Sequence, residues 1–273
     1  MNKKKIGFIG FGKMATAIYL GLIKKNKTTK ITFNKRSNIT KTEKQYKIKF
    51  LNLEKLINES DIIIIATKPD QILAIIKEMK KYNIDNKLII SLLAGTPITI
   101  YEKHFPKTAI IRIMPNIATL INESITGICW NKNTKKSHQK IGQKIAASIG
   151  ETITTKEENF HLITALCGSS PAFFYHICIE IINLCKKNNL SPDTSRKCIA
   201  QLLIGSGKML KESKVPINTL IKTITSPNGT TQAGLEELKK AKAGKLFSNA
   251  IDKAIMRSKE IEKNILENNE NKK

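Results

Sequence analysis

Short, continuous apolar runs alternate with amphipathic stretches over the first half of the chain, and this alternation constrains the fold more than any other feature. The clearest run, DIIIIAT at residues 61–67, is apolar at consecutive positions, which is typical of a strand covered on both faces. Because such strands alternate with helices, the pattern predicts a mostly parallel, doubly wound sheet. The predicted strands are 5–9, 30–34, 61–67, 87–94, 108–114 and about 125–130, and the predicted helices are 14–25, 71–80 and about 137–148.

The second half of the chain is predicted to be helical throughout, because the strand signal stops near residue 155. Prolines interrupt these helices at Ser191-Pro192, Val215-Pro216 and Ser226-Pro227. The segment 171–185 (PAFFYHICIEIINLC) is apolar almost all round, so it must be buried on every side. A small helical domain can hardly do that alone. We therefore expect two domains, 1–155 and 156–273, and an interleaved homo-oligomer.

Composition narrows the possible environments and partners. The 273 residues include 47 Lys and Arg against 22 Asp and Glu, a net charge of +25. Clustered cations would favour a nucleic-acid binder, but these lysines are spread along the whole chain, which favours a biased surface composition. Five cysteines without a C-x-x-C pair indicate neither a disulfide framework nor a zinc site, so a cytoplasmic protein is expected.

Membrane and secretory segments are not expected. No unbroken apolar run approaches the ~18 to 20 residues of a membrane span. The basic start followed by apolar residues resembles a secretory signal, but Lys13 interrupts the apolar stretch and the glycines are spaced for a turn.

A glycine motif, Gly10-Phe11-Gly12-Lys13-Met14-Ala15, directly follows the first predicted strand and opens the first helix. Gly10 permits a tight turn, Gly12 lets the backbone approach a pyrophosphate, and Ala15 takes the small third position. The helix N-terminus then offers unpaired N–H groups to the phosphates. The motif predicts dinucleotide binding, whereas an ordinary strand–helix turn is the alternative.

Cofactor choice is predicted from the end of the second strand, Asn34-Lys35-Arg36-Ser37. NAD sites usually place Asp or Glu there, while Arg and Ser can accept a 2′-phosphate. These residues favour NADPH, with NADH possible, although they could equally form a solvated loop.

Three further segments follow predicted strands at the edge where doubly wound sheets bind ligands. They are Ala66-Thr67-Lys68-Pro69, Ala94-Gly95-Thr96-Pro97 and Arg112-Ile113-Met114-Pro115-Asn116. Each could be merely a turn, but together they would form the rim of one crevice.

The segment Thr225-Ser226-Pro227-Asn228-Gly229-Thr230-Thr231 leads into a helix. Its N–H groups, from about Asn228 to Thr231, would converge on a carboxylate with two hydroxyls beside them. The alternative is a serine cap and a proline that simply start a helix. The small residues 167–172 suit close packing, and the four histidines lack metal-ligand spacing.

Taken in order, these motifs resemble the pyrroline-5-carboxylate reductase family. The shared elements are Gly-x-Gly-x-Met-Ala, Lys-Pro, Arg-x-Met-Pro-Asn, Gly-Ser-Ser-Pro-Ala and Thr-Ser-Pro-x-Gly-Thr-Thr, spread over nearly the whole chain. The resemblance implies an α/β protein with an N-terminal Rossmann-like doubly wound sheet that binds NADP, followed by an all-helical dimerisation domain. It also implies NAD(P)H-dependent reduction of the cyclic imine 1-pyrroline-5-carboxylate to L-proline.

The expected site residues follow from the motifs and this resemblance. The family usually has Gly where this chain has Asn228, which puts the fit of that loop to the carboxylate in question. Thr231 is implied as the residue that hydrogen-bonds the substrate nitrogen. The expected cofactor contacts are Ile9, Gly10, Phe11, Gly12, Lys13, Met14, Asn34, Arg36, Ser37, Ala66, Thr67, Lys68, Pro69 and Asn116, and the expected substrate contacts are Ser226, Asn228, Gly229, Thr230 and Thr231.

Two rival functions remain. A 3-hydroxyacid dehydrogenase shares the two-domain layout, but such enzymes resemble one another in a catalytic lysine on the first helix after the Rossmann domain, and residues 168–185 contain none. The other rival is a binding protein without turnover, either an NADP sensor or a basic nucleic-acid binder.

Overall fold

A single eight-stranded sheet organises the first half of the chain in the computed structural model, which describes residues 4–25 and 29–270. The strand order is β3-β2-β1-β4-β5-β6-β7-β8, and only the β6–β7 pair is antiparallel. The first six strands thus follow the order of a doubly wound dinucleotide-binding sheet. The strands are β1 (Ile6–Ile9), β2 (Ile31–Asn34), β3 (Lys49–Phe50), β4 (Ile62–Ile65), β5 (Leu88–Ser91), β6 (Ala109–Met114), β7 (Ser124–Trp130) and β8 (Gly150–Thr154).

The central strands are buried on both faces, as their continuous apolar runs predict. Ile63 and Ile65 of β4 belong to one core, together with Ile9. Ile62 and Ile64 belong to a second core on the opposite face, together with Phe8. The doubly wound α/β fold is confirmed.

Helices flank the sheet and make up the rest of the chain. Each predicted helix and strand is found, with ends that differ by up to three residues. The helices are α1 (Lys13–Lys25), α2 (Ile39–Tyr46), α3 (Leu53–Glu59), α4 (Ile72–Met79), α5 (Ile98–His104), α6 (Lys136–Ala146), α7 (Phe160–Ile163), α8 (Ser170–Lys187), α9 (Pro192–Glu212), α10 (Ile217–Thr223), α11 (Thr230–Lys240) and α12 (Ala243–Glu270).

Five elements have no counterpart among the predicted ones: α2, β3, α3, α5 and β8. Two of them lack an apolar pattern, since α2 buries only Thr42 and four of the five residues of β8 are exposed. Helix α3 instead begins at a local cap, because the Asn52 side chain accepts a hydrogen bond from the Lys55 N–H at 2.9 Å.

The chain divides into two compact units, and their boundaries differ from the predicted boundary at residue 155. One unit comprises residues 1–169 and 253–273, and the other comprises 170–252. Residues just beyond 155 belong to the first unit because Phe160 and Ile163 are buried in its core, and the end of α12 joins the same core through Ile265.

The helical unit confirms the predicted breaks. Ser191 caps α9, with its Oγ accepting a hydrogen bond from the Thr194 N–H at 3.2 Å, and Pro192 is the first residue of that helix. Pro216 directly precedes α10, and Pro227 lies in the loop before α11.

Helix α8 carries a large exposed apolar surface in this single chain. Its only buried residue is Ser170, whereas Leu184 is 60% exposed and Tyr175 is 58% exposed. Surfaces of this kind mark contact with another molecule. The other large apolar side chains exposed on α8 are Phe174, Ile177, Ile179 and Ile181.

Replacing Ile181 by Glu should yield unfolded or aggregated protein, because assembly would bury an unpaired carboxylate. Circular dichroism and analytical ultracentrifugation measure this outcome. Lys140→Glu on the exposed side of α6 is the control and should leave the assembly unchanged. A well-folded monomer, in the wild type or in Ile181→Glu, would contradict an assembly through the helical unit.

Candidate active site

Gly10 occupies a turn that no other residue could fill without strain. Its φ is +86°, and a Cβ atom would lie 2.7 Å from the Ala66 carbonyl oxygen. Its N–H donates to the Asn34 carbonyl at 2.9 Å, and the Ala66 N–H donates to the Ile9 carbonyl at 2.8 Å. The ends of β1, β2 and β4 are therefore bound together at this point.

Gly12 is different, because nothing in the fold requires it to be glycine. It is exposed, and a Cβ atom there would meet no atom of residues 4–25 or 29–270 within 4 Å. The N–H of Thr16 makes the first helical hydrogen bond, to the Gly12 carbonyl at 2.9 Å. The N–H groups of residues 13–15 thus have no intrahelical acceptor. Open space in front of free amides fits a pyrophosphate.

The side chains of Ile9 and Phe11 belong to the protein core. The Phe11 ring lies 5.1 Å from that of Phe33 and 5.6 Å from that of Phe8, between centroids. Ile9 is buried in the opposite core. Of the expected cofactor contacts, these two can therefore reach a ligand only through their backbone.

Arg36 and Ser37 after β2 are exposed, while the last residue of β2 and the first residue of the loop are engaged. The Asn34 Nδ2 donates to the Leu51 carbonyl at 2.9 Å, and the Lys35 ammonium donates to Thr42 Oγ1 at 3.2 Å. The nearby carboxylate of Glu43 accepts the Phe50 N–H at 2.8 Å. In the part of the chain that the structure describes, Arg36 makes no salt bridge, so its guanidinium is available to an anion.

The segment Ala66-Thr67-Lys68-Pro69 lies beside the glycine turn, as the sequence predicts. The Thr67 methyl would be 2.7 Å from a Cβ on Gly10. Pro69 starts a short 3-10 turn before α4, and Lys68 is exposed. Thus, these expected contacts lie at the same edge of the sheet as Gly10 and Gly12.

The other two predicted rim segments have structural partners. A Cβ on Gly95, whose φ is +61°, would lie 2.5 Å from the Ile261 side chain of α12. Asn116 is buried: its Oδ1 accepts the Ala118 N–H at 3.0 Å, and its own N–H donates to Ser124 Oγ at 3.1 Å. The Asn116 side chain therefore caps a turn.

An ion pair between a buried guanidinium and a partly exposed carboxylate, which the sequence pattern does not reveal, lies next to the sheet. Arg112 is only 3% exposed, and its Nη1 donates to Glu157 Oε1 at 2.6 Å. The same oxygen accepts the Ile98 N–H at 2.7 Å, and the guanidinium carbon lies 4.7 Å from the centroid of the Phe160 ring. The only sequence signal was the Arg-x-Met-Pro-Asn motif, since Glu157 lies 45 residues away.

Titratable groups near this pair are held neutral. Burial raises the pKa of the Cys129 thiol to about 12, with the Glu157 carboxylate adding to the effect. Burial also raises the pKa of Tyr101, whose hydroxyl donates to Ser91 Oγ at 2.7 Å. Neither residue is an activated nucleophile.

Two of the four histidines contact polar side chains within the fold. His104 Nε2 lies 3.1 Å from Asn269 Oδ1. His161 contacts Ser258 Oγ at 2.9 Å and Glu262 at 3.1 Å, and burial lowers its pKa while Glu262 opposes that effect. Among the described residues, no group of three or more His, Cys, Asp or Glu side chains could hold a metal ion.

The predicted substrate loop lies in the helical unit and precedes α11. The Gly229 N–H donates to the Ser226 carbonyl at 3.1 Å, and the Asn228 N–H donates to Gln232 Oε1 at 3.0 Å. These two amides are therefore engaged within the loop and do not join a common anion site. Thr230 and Thr231 are the first residues of α11, ahead of its Ala233 N–H to Gly229 hydrogen bond.

A 3-2-1-4-5-6 strand order with a ligand-accessible glycine turn at the end of β1 defines a dinucleotide-binding α/β protein. Residues 5–95 match the family described as NADP oxidoreductase, coenzyme F420-dependent, and residues 157–261 match pyrroline-5-carboxylate reductase dimerisation. The chain belongs to the pyrroline-5-carboxylate reductase family.

Similarity to individual proteins extends over nearly the whole chain. Pyrroline-5-carboxylate reductase 1 of Bacillus subtilis strain 168 is 35% identical over 97% of this chain and 91% of its own length. The structure of the Streptococcus pyogenes 1-pyrroline-5-carboxylate reductase has a TM-score of 0.88 at 30% identity and covers 95% of this chain and 100% of its own. The Plasmodium falciparum pyrroline carboxylate reductase with NADP bound has a TM-score of 0.86 at 30% identity, with 96% and 99% covered.

Substitution of the two glycines of the turn should affect different properties, stability at one position and NADPH affinity at the other. Gly12→Ala should keep the wild-type melting temperature but lose at least tenfold in NADPH affinity, because its Cβ would fill only the ligand space. Gly10→Ala should lower the melting temperature, because positive φ and the Ala66 carbonyl oppose a side chain. Thermal unfolding and a fluorescence titration with NADPH measure both. Wild-type NADPH affinity in Gly12→Ala would mean that the pyrophosphate lies elsewhere.

Proposed function

We propose that this protein catalyses the NADPH-dependent reduction of 1-pyrroline-5-carboxylate to L-proline, the last step of proline biosynthesis. The observation that carries the proposal is membership of the pyrroline-5-carboxylate reductase family over nearly the full chain, including the dimerisation region. In this proposal the open glycine turn binds the cofactor, and the Thr-Ser-Pro-x-Gly-Thr-Thr loop binds the substrate.

The reaction needs positioning more than acid–base machinery. NADPH, when bound, would supply the hydride that reduces the carbon of a protonated C=N bond and would be left as NADP⁺, and the nitrogen already carries the proton of the product amine. The N–H groups of Thr230 and Thr231 at the start of α11 hold the substrate carboxylate, and the Thr231 hydroxyl orients the ring nitrogen. Ser226, Asn228 and Gly229 shape the loop that precedes them.

Arg36 and Ser37 select NADPH over NADH. Both are exposed beyond the end of β2, and the position lacks the acidic residue that would hold a free ribose hydroxyl. A guanidinium pairs with a 2′-phosphate through charge-assisted hydrogen bonds.

Arg36→Ala should weaken NADPH binding far more than NADH binding, because a charge-assisted contact contributes roughly 1.5 to 3 kcal/mol and only NADPH has the phosphate. Titration of the variant with each cofactor measures the two dissociation constants. An equal loss for both cofactors would remove Arg36 from this role.

Thr231→Ala should lower turnover on the order of tenfold or more, for ~1.4 kcal/mol lost from the transition state, with NADPH affinity nearly unchanged. Thr231→Ser keeps the hydroxyl and should recover most of the rate, whereas Thr231→Val keeps the branched shape and should not. An assay that follows NADPH oxidation with pyrroline-5-carboxylate distinguishes the three variants. Unaltered turnover in Thr231→Ala would show that the substrate contact is misplaced, and an inactive wild type would reject the reductase proposal.

A second copy of the chain is the partner that covers the exposed face of α8. By length and composition alone, the helical stretch Glu157–Lys187, which contains an 18-residue window of mean hydropathy 1.5, could instead cross a membrane, although it contains no unbroken apolar run of that length. Glu180 and His176 lie near the middle of α8, where a bilayer would make a charge costly. The dimerisation region matched at 157–261 includes all of α8.

The proposed setting is the cytoplasm, without a nucleic-acid or membrane partner. All five cysteines are free thiols, as a reducing compartment would keep them. The distributed lysines favour solubility over a continuous nucleic-acid surface.

A further inference from the structure

Two consecutive hydrogen bonds join the substrate loop to the first turns of α11. The Asn228 N–H donates to Gln232 Oε1 at 3.0 Å, and Gln232 Nε2 donates to Glu236 Oε1 at 2.8 Å. The three residues are spaced four apart, so they lie on one side of the helix start. The Gln232 carboxamide thus uses both its acceptor and its donor within the chain.

Asn228 has a backbone conformation that such hydrogen bonds would support. Its φ is +56°, a left-handed conformation that costs free energy for any residue other than glycine. The next residue, Gly229, lies so close to Ser226 that a Cβ on it would collide with Ser226 Oγ. The loop conformation therefore depends on the left-handed turn at Asn228, which directly precedes this close approach.

We propose that Gln232 is a positioning residue that holds the left-handed Asn228, with Glu236 orienting the Gln232 carboxamide, so that the substrate loop is set for the carboxylate before binding. This inference rests on the proposed reductase function. Gln232 acts through Asn228, because its carboxamide oxygen accepts the Asn228 N–H and one of its N–H groups donates to Glu236. A preset loop avoids the ordering cost that a mobile loop imposes on binding.

The kinetic effect should appear in KM and not in kcat. Gln232→Met keeps the length and helix preference of the side chain but removes both hydrogen bonds. We expect KM for pyrroline-5-carboxylate to rise about fivefold or more, as the loss of ~1 kcal/mol of loop ordering implies. Turnover should change less than twofold, since the Thr231 hydroxyl is fixed by α11, and NADPH affinity should be unchanged.

Glu236 and its neighbour provide matched variants. Glu236→Ala should raise KM about twofold, because it frees the Gln232 carboxamide to rotate. Glu236→Gln retains an acceptor and should restore the wild-type KM. Glu237→Ala is the control, because the Glu237 side chain is exposed and its Oε2 lies 4.0 Å from the Nζ of Lys240.

Amide exchange tests the same contact without catalysis. In the wild-type enzyme the Asn228 amide should be protected, and in Gln232→Met its exchange should be at least fivefold faster, followed by mass spectrometry of the loop peptide. An unchanged KM and unchanged exchange in Gln232→Met would overturn the proposal. A lower KM would also overturn it, because the Asn228 amide would then be a substrate donor for which Gln232 competes.

Failure of the reductase proposal would look different. If wild-type protein does not oxidise NADPH with pyrroline-5-carboxylate, the proposed function is rejected. Amide exchange still decides whether Gln232 holds the loop, because that measurement requires no substrate.

Discussion

The burial of the central strands on both faces is the constraint on which the candidate cofactor site depends. All four residues of β4 are at most 1% exposed, so neither face of this strand can present a ligand-binding side chain. Chemistry is therefore confined to the carboxyl ends of the strands, where the backbone turns away from the sheet. There the Gly10 and Ala66 amides are already bound to the ends of β2 and β1, which leaves the start of α1 as the open anion site.

Arg112 of β6 is a charged side chain in an otherwise apolar part of the sheet. It is the one charged side chain among the buried residues that the structure describes, and it is compensated by the Glu157 carboxylate and the face of Phe160. The Arg112 side chain is 3% exposed and the Glu157 side chain is 32% exposed, so removal of Glu157 would leave a buried, uncompensated guanidinium, at a cost of roughly 3–5 kcal/mol. Since Glu157 also accepts the Ile98 N–H, one carboxylate fixes β6, α5 and the segment before α7 together. The pairing thus organises the core and does not indicate a catalytic acid.

Elements encoded by local pattern were predictable, and elements that depend on distant partners were not. The four isoleucines of β4 predict a doubly covered strand without further information, and the prolines predict the helix starts at Pro192 and Ile217. Strand β8 pairs with β7 through backbone hydrogen bonds while exposing polar residues, so its sequence carries no apolar signal. In the candidate site, the glycine turn could be predicted from the sequence. The engagement of the Asn228 amide could not, because it depends on the Gln232 side chain, and that of the Gly229 amide depends on a backbone turn to Ser226 that residue spacing does not specify.

The chain uses asparagine and glycine at different kinds of turn position. Among the described residues with positive φ other than glycine, four of six are asparagine. Asparagine tolerates the left-handed region better than most residues, but it still carries a Cβ atom. The three glycines with positive φ, Gly10, Gly95 and Gly150, lie where a Cβ would collide with neighbouring atoms. Glycine therefore occupies the positive-φ positions where a Cβ atom would not fit. Asparagine occupies positions where φ is positive but a Cβ atom fits. Asn228 follows this second pattern, which explains how the substrate loop retains its turn at a position where glycine is the family's usual residue. The asparagines with positive φ are Asn38, Asn122, Asn189 and Asn228.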